Sequence, residues 1–127
     1  MILIDSFGWI EYFTNGPLAD KYAKYIETAS HINTLTPTIV IYEVYKVIKR
    51  EAGEDKALEA YAQLKNTKII PLDENITLSA ADISLEFGIP MADSVIYATA
   101  KRFDAKIVTS DPHFKGKYGV LFITMES

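Results

Sequence analysis

Short apolar runs alternate along this chain with longer stretches in which apolar residues recur every three or four positions. The first rhythm is that of strands buried on both faces; the second is that of helices with one face in a core. "MILID" opens the chain as an apolar run stopped by an acid and predicts a strand. "SFGWIEYF" follows as a helix, with Ser6 placed to cap it and Phe7, Ile10 and either Glu11 or Tyr12 on its inward stripe. "ADKYAKYIETAS" predicts a second helix with Tyr22, Tyr25, Ile26 and Ala29 on one side, and "HINTL" a short strand. In "TPTIVIYEVYKVIKREAG", Thr36 suits a cap, Pro37 the first helical position and Gly53 the end.

The same alternation continues to the end of the sequence. "EDKALEAYAQLKN" predicts a helix carrying Leu58, Tyr61, Ala62 and Leu64, and "TKIIPL" another strand. Asp73 then caps "ENITLSAADISLEF", which Gly88 and Pro90 stop. "ADSVIYATAKRF" is a further helix, "KIVTS" a strand and "VLFIT" the last strand. Strands alternating with helices imply one α/β domain over residues 1–127: a three-layer sandwich in which helices flank a mostly parallel central sheet.

Composition narrows the chemistry. The 127 residues are 49% hydrophobic, enough for one sizeable core. A net charge of −4 supplies no global field for nucleic acid, so any such binding needs a local patch or a metal. With no cysteine there are no disulfides, thiolate zinc sites or thiol nucleophiles, which fits a cytoplasmic protein. "MILIDSFGWIEYF" lacks a basic start and makes a poor signal peptide. No apolar run approaches the roughly 18 residues of a membrane span.

Four acids then stand out. Asp5 ends the first strand and Asp111 follows the strand "KIVTS", so both belong to the carboxyl edge, where parallel sheets bind ligands. Glu43 lies mid-helix between Val40 and Val47, on a partly apolar face where a charge needs a partner. Asp93 opens the helix that leads into "KIVTS". Each has a local reading too: Asp5 and Asp111 as cap or turn residues, Glu43 as a solvated side chain, Asp93 as a charge favoured by a helix N-terminus. If the four converge, their repulsion calls for a hard cation, and Mg²⁺ or Mn²⁺ prefers such oxygen ligands. His31 and His113 are isolated in sequence, and His113 reads as a turn residue rather than a ligand. A divalent ion among carboxylates serves phosphoryl transfer by activating water.

The ordered set "ILIDS", "TIVIYEVYKVI", "ADSVIYATA" and "IVTSD" with the Phe of "TSDPHF" resembles the PIN-domain nucleases, most closely their short prokaryotic VapC-type toxins. The resemblance spans nearly the whole chain. It implies that Asp5, Glu43, Asp93 and Asp111 are catalytic and metal-binding residues, with Ser6 and Thr109 as the small hydroxyls beside them. It further implies a Mg²⁺- or Mn²⁺-dependent endoribonuclease acting on RNA, dimeric, and held inactive by a small antitoxin protein. Lys46, Lys49, Arg50, Lys101, Arg102, Lys115 and Lys117 are candidates to hold flanking phosphates, or plain solvated surface. Tyr22, Tyr25, Tyr42 and Tyr45 are candidates for a homodimer interface or for the edge of the core.

Two other readings compete. A phosphoacceptor receiver domain has similar length and strand-end acids, but wants paired acids after the first strand and an acceptor Asp on a middle strand. Here Ser6 follows Asp5, and Asp73 fits a helix cap. A non-catalytic, RNA-binding PIN domain keeps the fold but has no need of all four acids.

Overall fold

The computed structural model describes residues 1–125. Among these, β1 (Ile2–Ile4) leads into α1 (Ser6–Phe13) and α2 (Ala19–Ile26). Next come β2 (Thr34–Pro37), α3 (Thr38–Ala52), α4 (Glu54–Leu64) and β3 (Lys68–Ile70). The chain continues through α5 (Glu74–Phe87), α6 (Met91–Arg102), β4 (Lys106–Thr109), a 3₁₀ turn (Pro112–Phe114) and β5 (Val120–Phe122). No helix among the described residues is long and apolar enough to cross a membrane.

The strands form one sheet in the order β3-β2-β1-β4-β5, every neighbouring pair parallel. Ile2, Leu3 and Ile4 of β1 face Lys106, Ile107 and Val108 of β4 in register. The chain walks outward from β1 to β3 and then crosses back to β4 on the far side of β1. That reversal makes the β1/β4 boundary the switch point of the sheet, and its carboxyl end a natural crevice. A receiver-type sheet has the order 2-1-3-4-5 instead. Asp73, the middle-strand acid, is a helix cap here: it accepts from the Ile76 amide at 2.8 Å and pairs with Arg102.

Core and caps follow mostly, not wholly, from the sequence. Leu3, Ile4, Leu35, Ile107 and Val108 are fully or nearly fully buried, as strands covered on both faces require. Gly53 (φ 92°) and Gly88 (φ 65°) end α3 and α5 in the left-handed region. Thr36 is not a cap. It is the third residue of β2, its hydroxyl bonded to that of Thr67 in the core, and Pro37 is the residue that precedes α3.

The inward faces of two helices differ from expectation. α1 buries Ser6, Gly8, Trp9 and Glu11, while Phe7 is 46% exposed. α4 buries Ala57, Ala60 and Leu64, while Leu58, Tyr61 and Ala62 face outward. In both, small residues on the inward face, Gly8 in α1 and Ala57 and Ala60 in α4, let the helix lie close to a neighbour. Of the tyrosines read as interface or core-edge candidates, Tyr22 is fully buried and belongs to the core, and Tyr25 and Tyr45 pack against the core edge.

Candidate active site

The four acids come from four elements and line a single cleft of about 330 Å³. Asp5 sits where β1 passes into α1, Glu43 on the second turn of α3, Asp93 in the first turn of α6, and Asp111 just past β4. Ser6, Phe7, Ile10, Tyr42, Lys46 and Arg50 complete much of the lining.

Asp5 is 3% exposed, and its local and functional readings are both satisfied by one geometry. Its Oδ1 accepts from the Gly8 amide at 2.9 Å, capping α1. Its Oδ2 accepts a short hydrogen bond from the Thr109 hydroxyl. That hydroxyl in turn accepts from the Asp111 amide at 2.9 Å, so one threonine ties the ends of β1 and β4 together. Burial raises the Asp5 pKa from 3.8 to about 7, although the Thr109 hydroxyl and Gly8 amide oppose the rise. Tyr22 closes the wall from behind, its hydroxyl 2.9 Å from that of Ser110. Its ring lies over Gly8, where a Cβ would fall 2.3 Å from Tyr22 Cε1. Gly8 is therefore required by the close approach of Tyr22, not a flaw in α1.

The other wall is more open. Asp93 Oδ2 lies 2.8 Å from His113 Nδ1, which is also 3.0 Å from Asp111 Oδ1. Asp111 Oδ1 accepts from the His113 amide at 2.9 Å as well, capping the 3₁₀ turn. Burial and then the facing charge of Asp111 raise the Asp93 pKa to about 6, while His113 pulls it down. Glu43 Oε1 accepts from the Ser6 hydroxyl at 2.5 Å, so the hydroxyl next to Asp5 orients the helical acid.

His113 lies in the turn beside the site, as the sequence suggests. Its imidazole reaches both Asp93 and Asp111, and one ligand atom from each of the three lies within 4.8 Å of the others. The available signal was Pro112, which follows Asp111 and folds the next residue back over it. The donor set fits a hard divalent cation: carboxylate oxygens with one imidazole, no thiolate, and two carboxyl pKa values raised in a way that positive charge would relieve. Asp93, Asp111 and His113 stand closest together; Asp5 and Glu43 face the same cleft from its other side.

The basic residues sort by position. Lys46 and Arg50 line the cleft. Lys49 pairs with Glu54 and Arg102 with Asp73, while Lys115 and Lys117 lie over the Phe122 and Phe87 rings. Lys101 lines a separate groove beside β5.

A family model for the PIN domain matches residues 2–120. This chain belongs to the PIN domain family. Its fold is shared with several solved structures at low sequence identity. The Klebsiella pneumoniae chain from a toxin–antitoxin complex superposes with TM-score 0.79 at 21% identity, 98% of each chain being covered. The sarcin–ricin loop-cleaving toxin VapC20 of Mycobacterium tuberculosis gives 0.74 at 14% identity over 92% of each chain. FitAcB of Neisseria gonorrhoeae gives 0.70 at 21% identity over 97% of each. No curated protein matches the sequence. The chain thus combines the PIN fold with four acids, Asp5, Glu43, Asp93 and Asp111, lining one cleft.

Proposed function

We propose that this PIN domain is an endoribonuclease dependent on Mg²⁺ or Mn²⁺, and that it acts as the toxin of a toxin–antitoxin pair. The observation that carries the reading is the convergence of Asp5, Glu43, Asp93 and Asp111 on one cleft at the switch point of the sheet. Asp93 and Asp111, with His113, would hold the cation, and Asp5 and Glu43 would complete its surroundings from the opposite wall. A bound divalent ion in such a site activates water and stabilises charge on a phosphodiester.

The chain's own groups divide the remaining work. Thr109 and the Gly8 amide hold the Asp5 carboxylate in one orientation, and Ser6 does the same for Glu43. Carboxylates near the attacked phosphorus can accept the proton of the entering water. The water oxygen bonds to phosphorus and the P–O bond to the leaving ribose oxygen breaks. Lys46 and Arg50 are placed to hold neighbouring phosphates against the negative cleft.

The toxin assignment draws on the fold shared with components of toxin–antitoxin complexes, two of them described as bound to DNA. With it we propose a cytoplasmic homodimer that a small antitoxin protein inhibits. Purified protein should cleave unpaired RNA with Mg²⁺ or Mn²⁺ and stop in EDTA. RNA that is bound but never cut with either ion would favour the non-catalytic PIN reading instead.

A further inference from the structure

Phe7 and Tyr42 attract attention by where they lie. Phe7 is the second residue after Asp5, and Tyr42 immediately precedes Glu43. Both line the acid cleft, from the neighbouring helices α1 and α3, which pack on each other. Phe7 is 46% exposed and Tyr42 59% exposed. A single exposed aromatic is ordinary, but two at the mouth of one polar cleft are not scattered surface. The same wall carries cations. Lys46 Nζ lies 5.4 Å from the centroid of the Tyr42 ring and makes no ion pair among the described residues. Arg50 lines the cleft one turn further along α3.

We propose that Phe7 and Tyr42 are base-stacking side chains that select unpaired RNA at this cleft, one on each side of the cleaved phosphate. The proposal rests on the ribonuclease reading above and adds to it the residues that read the substrate's bases. Grooves that bind single strands combine cations that track the backbone with rings on which bases stack. Tyr42 with Lys46 supplies both in one unit; Phe7 supplies a second ring beside the acids. Bases inside a duplex are already stacked on one another, so these rings serve only nucleotides that can splay out. Stacking tolerates any base, so the rings select for unpaired structure and not for sequence.

The test pairs protein variants with substrate variants. A short unpaired RNA cut by the wild type is remade with an abasic site on either side of the cleaved phosphate. Each missing base should cost the wild type roughly tenfold in kcat/KM, within the range of one base–aromatic stack. Phe7→Ala should be insensitive to the loss on one side and Tyr42→Ala to the loss on the other, while Tyr42→Phe should behave like wild type. The same cycle in RNA affinity, read by fluorescence anisotropy in an Asp93→Asn background, needs no turnover. Equal losses in wild type and both alanine variants, in kcat/KM and in affinity, would overturn the proposal and point to a docked protein segment as the rings' partner. A wild type that cuts no RNA with either metal would sink the ribonuclease reading instead, and the affinity cycle would still judge the rings.

Discussion

The two walls of the cleft are built differently. On one, Asp5 is buried, capped by the Gly8 amide, held by Thr109 and backed by Tyr22. On the other, Asp93 and Asp111 are reached by solvent and share His113, a side chain that is half exposed. A buried carboxylate whose two oxygens each accept a hydrogen bond is a fixed reference point. Carboxylates bridged by a movable imidazole can exchange that partner for an ion. The pKa values show the cost of each arrangement: burial raises Asp5 to about 7, and burial with the facing Asp111 charge raises Asp93 to about 6. In the proposed reading the closed wall would set position and the open wall would receive the ion. A larger groove beside β5, of about 650 Å³, has Asp104 as its only carboxylate among the described residues, so volume alone does not locate the chemistry.

The largest expected effect separates the acids from the hydroxyls that orient them. Asp5→Asn and Asp93→Asn should each lower RNA cleavage by about 10²-fold or more. Thr109→Val and Ser6→Ala, which remove only orienting bonds, should cost about tenfold, as supporting partners of a metal site do. Initial rates with saturating Mn²⁺ would rank them. A Thr109→Val loss equal to that of Asp5→Asn would erase the distinction between ligand and support.

The next effect belongs to the open wall. Wild type should gain RT ln(1 + [L]/Kd) of stability from Mg²⁺, about 2.7 kcal/mol at one hundred times Kd. Asp111→Asn should gain much less, because the variant loses one charged ligand. Urea midpoints with Mg²⁺ and with EDTA read this directly, and equal gains would make Asp111 a turn cap and nothing more.

Gly8→Ala probes the closed wall by packing alone. The new methyl meets the Tyr22 ring at 2.3 Å. Overpacking of this kind costs about 1–3 kcal/mol, and the better helix propensity of Ala returns about 1. The variant should be less stable by about 1 kcal/mol, and a Tyr22→Leu background should relieve most of that loss. A neutral Gly8→Ala would show that Tyr22 does not press on α1.

The smallest effect is electrostatic. Asp5 has a folded pKa of about 7 against 3.8 when unperturbed. A raised folded pKa means that the group's contribution is fully present below pH 3.8 and is lost as pH rises through about 7. Without metal, Asp5→Asn should therefore match wild type near pH 4 and become progressively more stable than it as pH rises to 7.5. The amide can keep the Gly8 bond and donate to the Thr109 oxygen. A pH-independent difference between the two proteins in EDTA would deny the charge penalty.

The sheet and the four acids were legible because each rests on a local signal. Apolar runs stopped by Asp5 and by Ser110–Asp111 mark strand ends, and parallel topology carries strand ends to one edge. The helix faces of α1 and α4 were not legible, because close packing there favours Gly8, Ala57 and Ala60 over Phe7, Leu58 and Tyr61. Hydropathy alone favours Phe7 over Gly8 and Leu58 over Ala57 and Ala60. Thr36 was misplaced for a related reason: its hydroxyl is satisfied by Thr67, 31 residues away, which no local pattern announces. The contact of His113 with Asp93 was not legible, because Asp93 is distant in sequence and becomes a neighbour only when α6 and β4 pack.

The central claim is that the two walls together form one metal site. Calorimetric titration of Mn²⁺ into wild type, Asp5→Asn and Asp93→Asn at pH 7.5 tests it most directly. The account predicts saturable binding by the wild type, an affinity at least about tenfold weaker in both variants, and the sharper loss for Asp93→Asn on the open wall. Equal Mn²⁺ affinity in all three proteins would contradict it.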